Sequence, residues 1–149
     1  MAILALERIV VQATAVDKED AIRQAGQLLV SGGCAKPAYI AGMLERESTM
    51  STYLGNGVAI PHGMYENHAD VIETGLSIVQ FPAGVVWDED DEDELAHLVI
   101  GIAATGDSHM NILSNLAEVI EDEEVAEQMA QTSDPQFILD QLSREPAEV

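Results

Sequence analysis

Apolar residues recur at Ala21, Ile22, Ala25, Leu28 and Leu29, the three-and-four spacing of one helical face. Asp17-Lys18-Glu19-Asp20 precedes them with Asp17 placed as N-cap, and Gly32-Gly33 stop the run. Pro37 suits the first turn of a second helix with Tyr39, Ile40, Met43 and Leu44 on its buried side. Arg46 falls on the last turn of that helix, on the Tyr39–Met43 face, and should emerge at the domain's edge. Strand signals follow over Gly57–Pro61, Thr74–Phe81 and Leu95–Ala104, and the last is almost continuously apolar, as in a strand covered on both faces. From Ser108 to Ile120 the spacing turns helical again, with His109 at the head of a stripe made by Ile112, Leu113, Leu116, Val119 and Ile120. Two short amphipathic helices are expected near Glu123–Gln131 and Asp134–Leu142, the second opened by Pro135. Helices alternating with strands predict an α/β fold, a three-layer domain with a mixed β-sheet flanked by helices on both faces. With no internal repeat and no dividing linker, one domain is expected over residues 1–143, followed by a frayed acidic tail over 144–149.

Composition narrows the class. The chain has 149 residues, 47% of them hydrophobic, enough for one packed core. No stretch approaches the roughly 20 apolar residues of a membrane span, and Met1–Leu6 lacks the basic run of a secretory leader. A single cysteine, Cys34, excludes an internal disulfide and fits a reducing, cytoplasmic setting; after Gly32-Gly33 it reads as a space-filling thiol. Six Lys and Arg stand against 27 Asp and Glu, a formal net charge of −21. Such a surface repels phosphate backbones and anionic lipid, so nucleic acid and membrane insertion are poor expectations. It attracts a basic protein partner or serves solubility in a salty interior. The seven consecutive carboxylates Asp88–Glu94 are expected in a solvated loop, since they lack the glycine and spaced ligands of a calcium loop.

Chemistry then concentrates on histidine. Gly55-Asn56-Gly57-Val58-Ala59-Ile60-Pro61-His62-Gly63 is a turn, a short apolar run and an imidazole between proline and glycine at a strand mouth open to solvent. A histidine so placed is a nucleophile, a proton carrier or a metal ligand. His109, at a helix start after Thr105-Gly106-Asp107-Ser108, occupies a position suited to an anion. Arg46 supplies a forked cation at another element's end. His97, early in the central strand, reads as a structural residue, and His68 as an exposed one. Met43, Met64, Met110 and Met129 form no single stripe and read as core filling. Two histidines and an arginine around an anion suggest phosphoryl chemistry; the arginine and the absence of HExxH-type spacing oppose a metal, and no P-loop or GxGxxG calls for a nucleotide cofactor.

Arg46-Glu47, then Met50 through Gly63 with its Pro61-His62-Gly63, resembles the active-site segment of enzyme IIA domains of the mannitol–fructose class of the bacterial sugar phosphotransferase system. Gln80-Phe81-Pro82, Gly84-Val85, the run Leu98–Ala104 and His109 resemble the mannitol-type branch, and the resemblance extends from about Ile3 to Leu142. It implies a phosphocarrier without cofactor: His62 takes a phosphoryl group from phospho-HPr and passes it to a cysteine of a IIB domain, which serves a membrane IIC component. It further implies that His109 is the second active-site histidine and Arg46 the phosphoryl-stabilising arginine. HPr proteins carry basic residues around their histidine, which gives the acidic surface a partner. The match sets His68 where well-known mannitol members carry a lysine. A regulatory, nitrogen-type IIA, phosphorylated on the same histidine and acting by binding targets, is the alternative within the resemblance.

Overall fold

Two long strands carry the sheet. β4 (Gly75–Asp88) and β5 (Asp91–Ala103) pair antiparallel from Gly75↔Ala103 to Asp88↔Asp91. β1 (Ile9–Val10) lies parallel to β4, β3 (Val58–Ala59) parallel to β5, and β2 (Tyr53–Gly55) antiparallel to β3, giving the order β1-β4-β5-β3-β2. This computed structural model describes residues 6–49, 51–63, 69–88, 91–104, 114 and 116–142. The mixed sheet with helices on both faces matches the fold expected from the pattern.

The helices form for the reasons the spacing gives. In α1 (Lys18–Ser31) the Asp17 carboxylate accepts the Asp20 N–H at 2.8 Å, and Gly32 ends the helix with its N–H on the Leu28 carbonyl. α2 (Ala38–Thr49) begins one residue after Pro37 and buries Tyr39 and Met43. α3 (Glu123–Gln131) is capped by Asp122, whose side chain accepts from the N–H groups of Glu124 and Val125; α4 (Pro135–Leu142) follows. Of the helix expected over Ser108–Ile120, residues 114 and 116–120 are described and helical. Its head with His109, the His68 segment with Met64, Met110, and the 144–149 tail lie outside the described residues.

Alternation along the long strands divides the core in two. Val79, Phe81, Val85, Trp87, Ala96, Val99 and Ala103 face Ile22, Ala25, Leu29, Tyr39 and Met43 of α1 and α2. Leu76, Ile78, Leu98, Ile100 and Ile102 face Leu116, Val119, Ile120, Met129 and Ile138 on the other side. Met43 and Met129 are fully buried, as core filling requires.

Three differences from the sequence pattern have physical causes. The acidic run is not one loop: β4 continues through Asp88 and β5 starts at Asp91, so most of the run lies in the backbone ladder. Buried Val85 and Trp87 on β4 and Ala96 on β5 carry the pairing outward past a register shift between Gln80 and Val85. β1 and β2 escape the pattern because two and three residues hold no period. The run expected as a strand over Gly57–Pro61 pairs regularly only at Val58 and Ala59, because the backbone turns just before it: φ is 116° at Gly55, 53° at Asn56 and 79° at Gly57.

Candidate active site

His62 stands where β3 runs out. Beyond Ala59 the chain keeps to β5 through a parallel bridge of His62 to Ile102, whose N–H donates to the Pro61 carbonyl at 3.0 Å. Proline suits this position because its missing N–H leaves nothing for the ladder to satisfy. The His62 Nδ1 lies 2.7 Å from the Ile60 carbonyl oxygen. A carbonyl only accepts, so in the neutral ring Nδ1 carries the proton and the lone pair falls to Nε2. The residue is 8% exposed, more covered than the open strand mouth its Pro/Gly frame suggests, because the bridge lays it along β5.

A second group holds the same backbone. The buried Tyr39 hydroxyl donates to the Ile102 carbonyl at 2.8 Å and accepts the Gly63 N–H at 2.9 Å. Helix α2 is thereby tied to β5 and to the residue after His62 through one oxygen. Burial pushes the Tyr39 phenol above its ordinary value of 10, and the Gly63 N–H offsets part of that rise. The sequence pattern marks Tyr39 only as a core residue; a buried tyrosine's need for a polar partner is the signal that points further.

Arg46 is half-buried on the last turn of α2, as its face predicts. Its neighbour Glu47 is buried and accepts hydrogen bonds from the Thr52 N–H and hydroxyl and from the Trp87 indole N–H. His97 is half-buried in β5, its Nδ1 donating to the Phe81 carbonyl at 3.2 Å. Cys34 is fully buried, and burial pushes its thiol above 9. Among the described residues no three His, Cys, Asp or Glu side chains are grouped to hold a metal ion. A cleft of about 490 Å³ opens at the level of His97, between Tyr53, Asn56, Leu95, Glu123 and Glu127. His97 and Ile102 are about 16 Å apart along β5 at 3.3 Å per residue, which sets this cleft away from His62.

The family model of the phosphoenolpyruvate-dependent sugar phosphotransferase system, EIIA 2, matches residues 2–145. The chain belongs to this EIIA family. It is 41% identical to the mannitol-specific EIICBA component of Escherichia coli K12 over 140 residues, covering 94% of this chain and 22% of that protein. It is similar to the crystal structure of IIA mannitol from E. coli, with a TM-score of 0.87, 41% identity, and coverage of 93% of this chain and 98% of the other. It is also similar to a structure of the complex of E. coli enzyme IIA mannitol with phosphorylated enzyme IIB mannitol, with a TM-score of 0.86, 41% identity, and coverage of 92% and 94%. The chain spans about a fifth of the length of the curated mannitol-specific relatives it matches. The structure holds His62, Ile60, Ile102, Gly63 and Tyr39 together and sets Arg46 at the end of the Tyr39 helix; His97 lies elsewhere on β5.

Proposed function

We propose that this EIIA chain is a mannitol-type phosphocarrier over residues 1–143, working in the cytoplasm, with His62 as its nucleophile. Support for His62 comes above all from its mounting: it lies past the end of regular pairing, between Pro61 and a Gly63 whose N–H the Tyr39 hydroxyl accepts, with the Ile60 carbonyl 2.7 Å from its Nδ1. Nε2 forms a bond to the phosphorus of phospho-HPr as the donor's own N–P bond breaks, and that electron pair returns to the donor imidazole. Positive charge grows on the His62 ring in this step, and the Nδ1–H bond to Ile60 stabilises it. In the second half-reaction a thiolate sulfur of a IIB domain attacks the same phosphorus, and the pair in the N–P bond returns to Nε2. Arg46, on the Tyr39 face of α2, and His109 stabilise the phosphoryl oxygens in transit. Neither step requires a cofactor.

The partner classes rest on chemistry as well as on kinship. A net charge of −21 favours encounter with the basic surroundings of a phosphohistidine donor. Among the described residues no helix is long and apolar enough to cross a membrane. In this reading a membrane IIC component is reached through IIB. The deciding experiment mixes this chain with phosphoenolpyruvate, Enzyme I and HPr and follows its mass. A gain of one phosphoryl group that His62→Ala abolishes is expected, followed by loss of that group to a mannitol-type IIB domain. Phosphorylation surviving in His62→Ala overturns the site. Stable phosphoryl-IIA in the presence of mannitol-type IIB domains instead favours a regulator that acts by binding targets.

A further inference from the structure

Glu47 is a carboxylate buried at 5% exposure, and the phosphoryl-transfer scheme above gives it no part. Burying a carboxylate is costly unless donors surround it. Three segments supply them. Thr52, also 5% exposed, offers its N–H at 3.0 and 3.2 Å to the two oxygens and its hydroxyl to Oε1. The Trp87 indole N–H of β4 reaches Oε1 at 3.2 Å, and the Lys18 ammonium of α1 lies 3.8 Å from Oε2.

The Thr52 link leads onward. The Thr52 carbonyl accepts the Ile60 N–H at 3.0 Å, extending the β2–β3 pairing by one rung, and the Ile60 carbonyl accepts the His62 Nδ1–H at 2.7 Å. Three hydrogen bonds thus join the carboxylate beside Arg46 to the imidazole. Each link enters a residue through its N–H and leaves through its C=O, which belong to different amide groups. Position is therefore handed along the series, and charge is not. We infer that Glu47 is a positioning residue for His62: it fixes Thr52, through Thr52 the direction of the Ile60 carbonyl, and so the ring tautomer with its proton on Nδ1. The inference rests on His62 being the nucleophile, but its structural half is measurable without any phosphoryl transfer.

Two substitutions separate reach from charge. Glu47→Asp keeps the charge and withdraws the carboxylate by one methylene; Glu47→Gln keeps the reach and an oxygen for Thr52 while removing the charge. Histidine ring 15N spectra, with the His62 signals identified by their loss in His62→Ala, should show one tautomer in the wild type, with the proton on Nδ1. Glu47→Asp should mix the tautomers and slow phosphoryl uptake from phospho-HPr by about 10- to 100-fold, by analogy with loss of the partner that orients a metal-bound histidine. The loss should fall on kcat, with KM for phospho-HPr unchanged. Glu47→Gln should retain the wild-type spectrum and most of the rate.

Trp87→Phe takes a donor from the same carboxylate without touching Thr52, so it should lower stability and leave the tautomer alone. If amide spectra show Glu47→Asp to be unfolded, Glu47→Ala takes its place. Unchanged ring signals in a folded Asp or Ala variant overturn the inference, as does a Gln variant more damaged than Asp. A wild-type ring protonated on Nε2 overturns it without any variant. Should the tautomer respond to Glu47→Asp while the wild type accepts no phosphoryl group, the positioning stands and the phosphocarrier reading fails.

Discussion

His97 lies in β5 and His62 is bridged to it, and each gives its Nδ1 proton to a backbone carbonyl, at 3.2 Å to Phe81 and at 2.7 Å to Ile60. A carbonyl partner therefore does not separate a reactive imidazole from a structural one. Exposure does not either, since His62 is the more covered of the two. The frames differ. His97 is wedged between glycines: a Cβ at Gly57 would lie 3.2 Å from its Cδ2, and one at Gly84 3.0 Å from its Cε1. His62 sits past the end of regular pairing, between Pro61 and a Gly63 whose N–H is held by Tyr39. The first ring fills a gap in the sheet; the second is mounted at its rim by backbone that other elements fix.

The largest effect that can break this comparison is exchange of the two residues' fates. His62→Ala should abolish phosphoryl uptake in the mass assay, while His97→Ala should retain it; equal loss in both variants would remove the distinction. Next comes Arg46→Ala. By analogy with a deleted oxyanion donor it should cost about 3 kcal/mol of transition-state stabilisation, roughly 100-fold in uptake rate, read by quenched-flow transfer from phospho-HPr.

Tyr39→Phe leaves the Gly63 N–H and the Ile102 carbonyl without their shared partner, at a cost of about 1–3 kcal/mol in urea unfolding. Its pH dependence sharpens the point. Because burial raises the Tyr39 phenol, its contribution is complete below the ordinary value of 10 and is lost as pH climbs through the raised one. Wild-type stability should fall there by more than that of Tyr39→Phe. At the His97 end, Gly84→Ala forces a side chain into φ 83° and against Leu95 at 3.0 Å. About 1–2 kcal/mol of stability should go, with uptake unchanged. Smallest is Cys34: with its thiol buried and pushed above 9, native protein should react with iodoacetamide far more slowly than urea-unfolded protein.

Where one element's own spacing decides its structure, the chain was readable. Ala21, Ile22, Ala25 and Leu29 give α1 and its buried face directly, and the run from Leu95 to Ala103 gives the central strand. Pro61-His62-Gly63 is legible for the same reason, since strand end, rigid entry and permissive exit are all local. The acidic run misleads because like charge argues for a loop, whereas the pairing of Val85 with Ala96 beneath it decides for strands. Tyr39 and Glu47 escape notice because their partners are remote or conditional on the fold. Tyr39 meets Ile102 across 63 residues, and Glu47 meets Trp87 across 40. Helical spacing shows which way such side chains face, not which backbone atom waits there.

The sheet's order has a further consequence for how copies of the chain behave in a crowded solution. Its outermost strands are the stubs Ile9–Val10 and Tyr53–Gly55, too short to offer another molecule's backbone a long row of partners. Past those stubs β4 and β5 continue as a pair as far as Asp88↔Asp91. With Asp88 and Asp91–Glu94 in those strands, like charge works against pairing with a second copy.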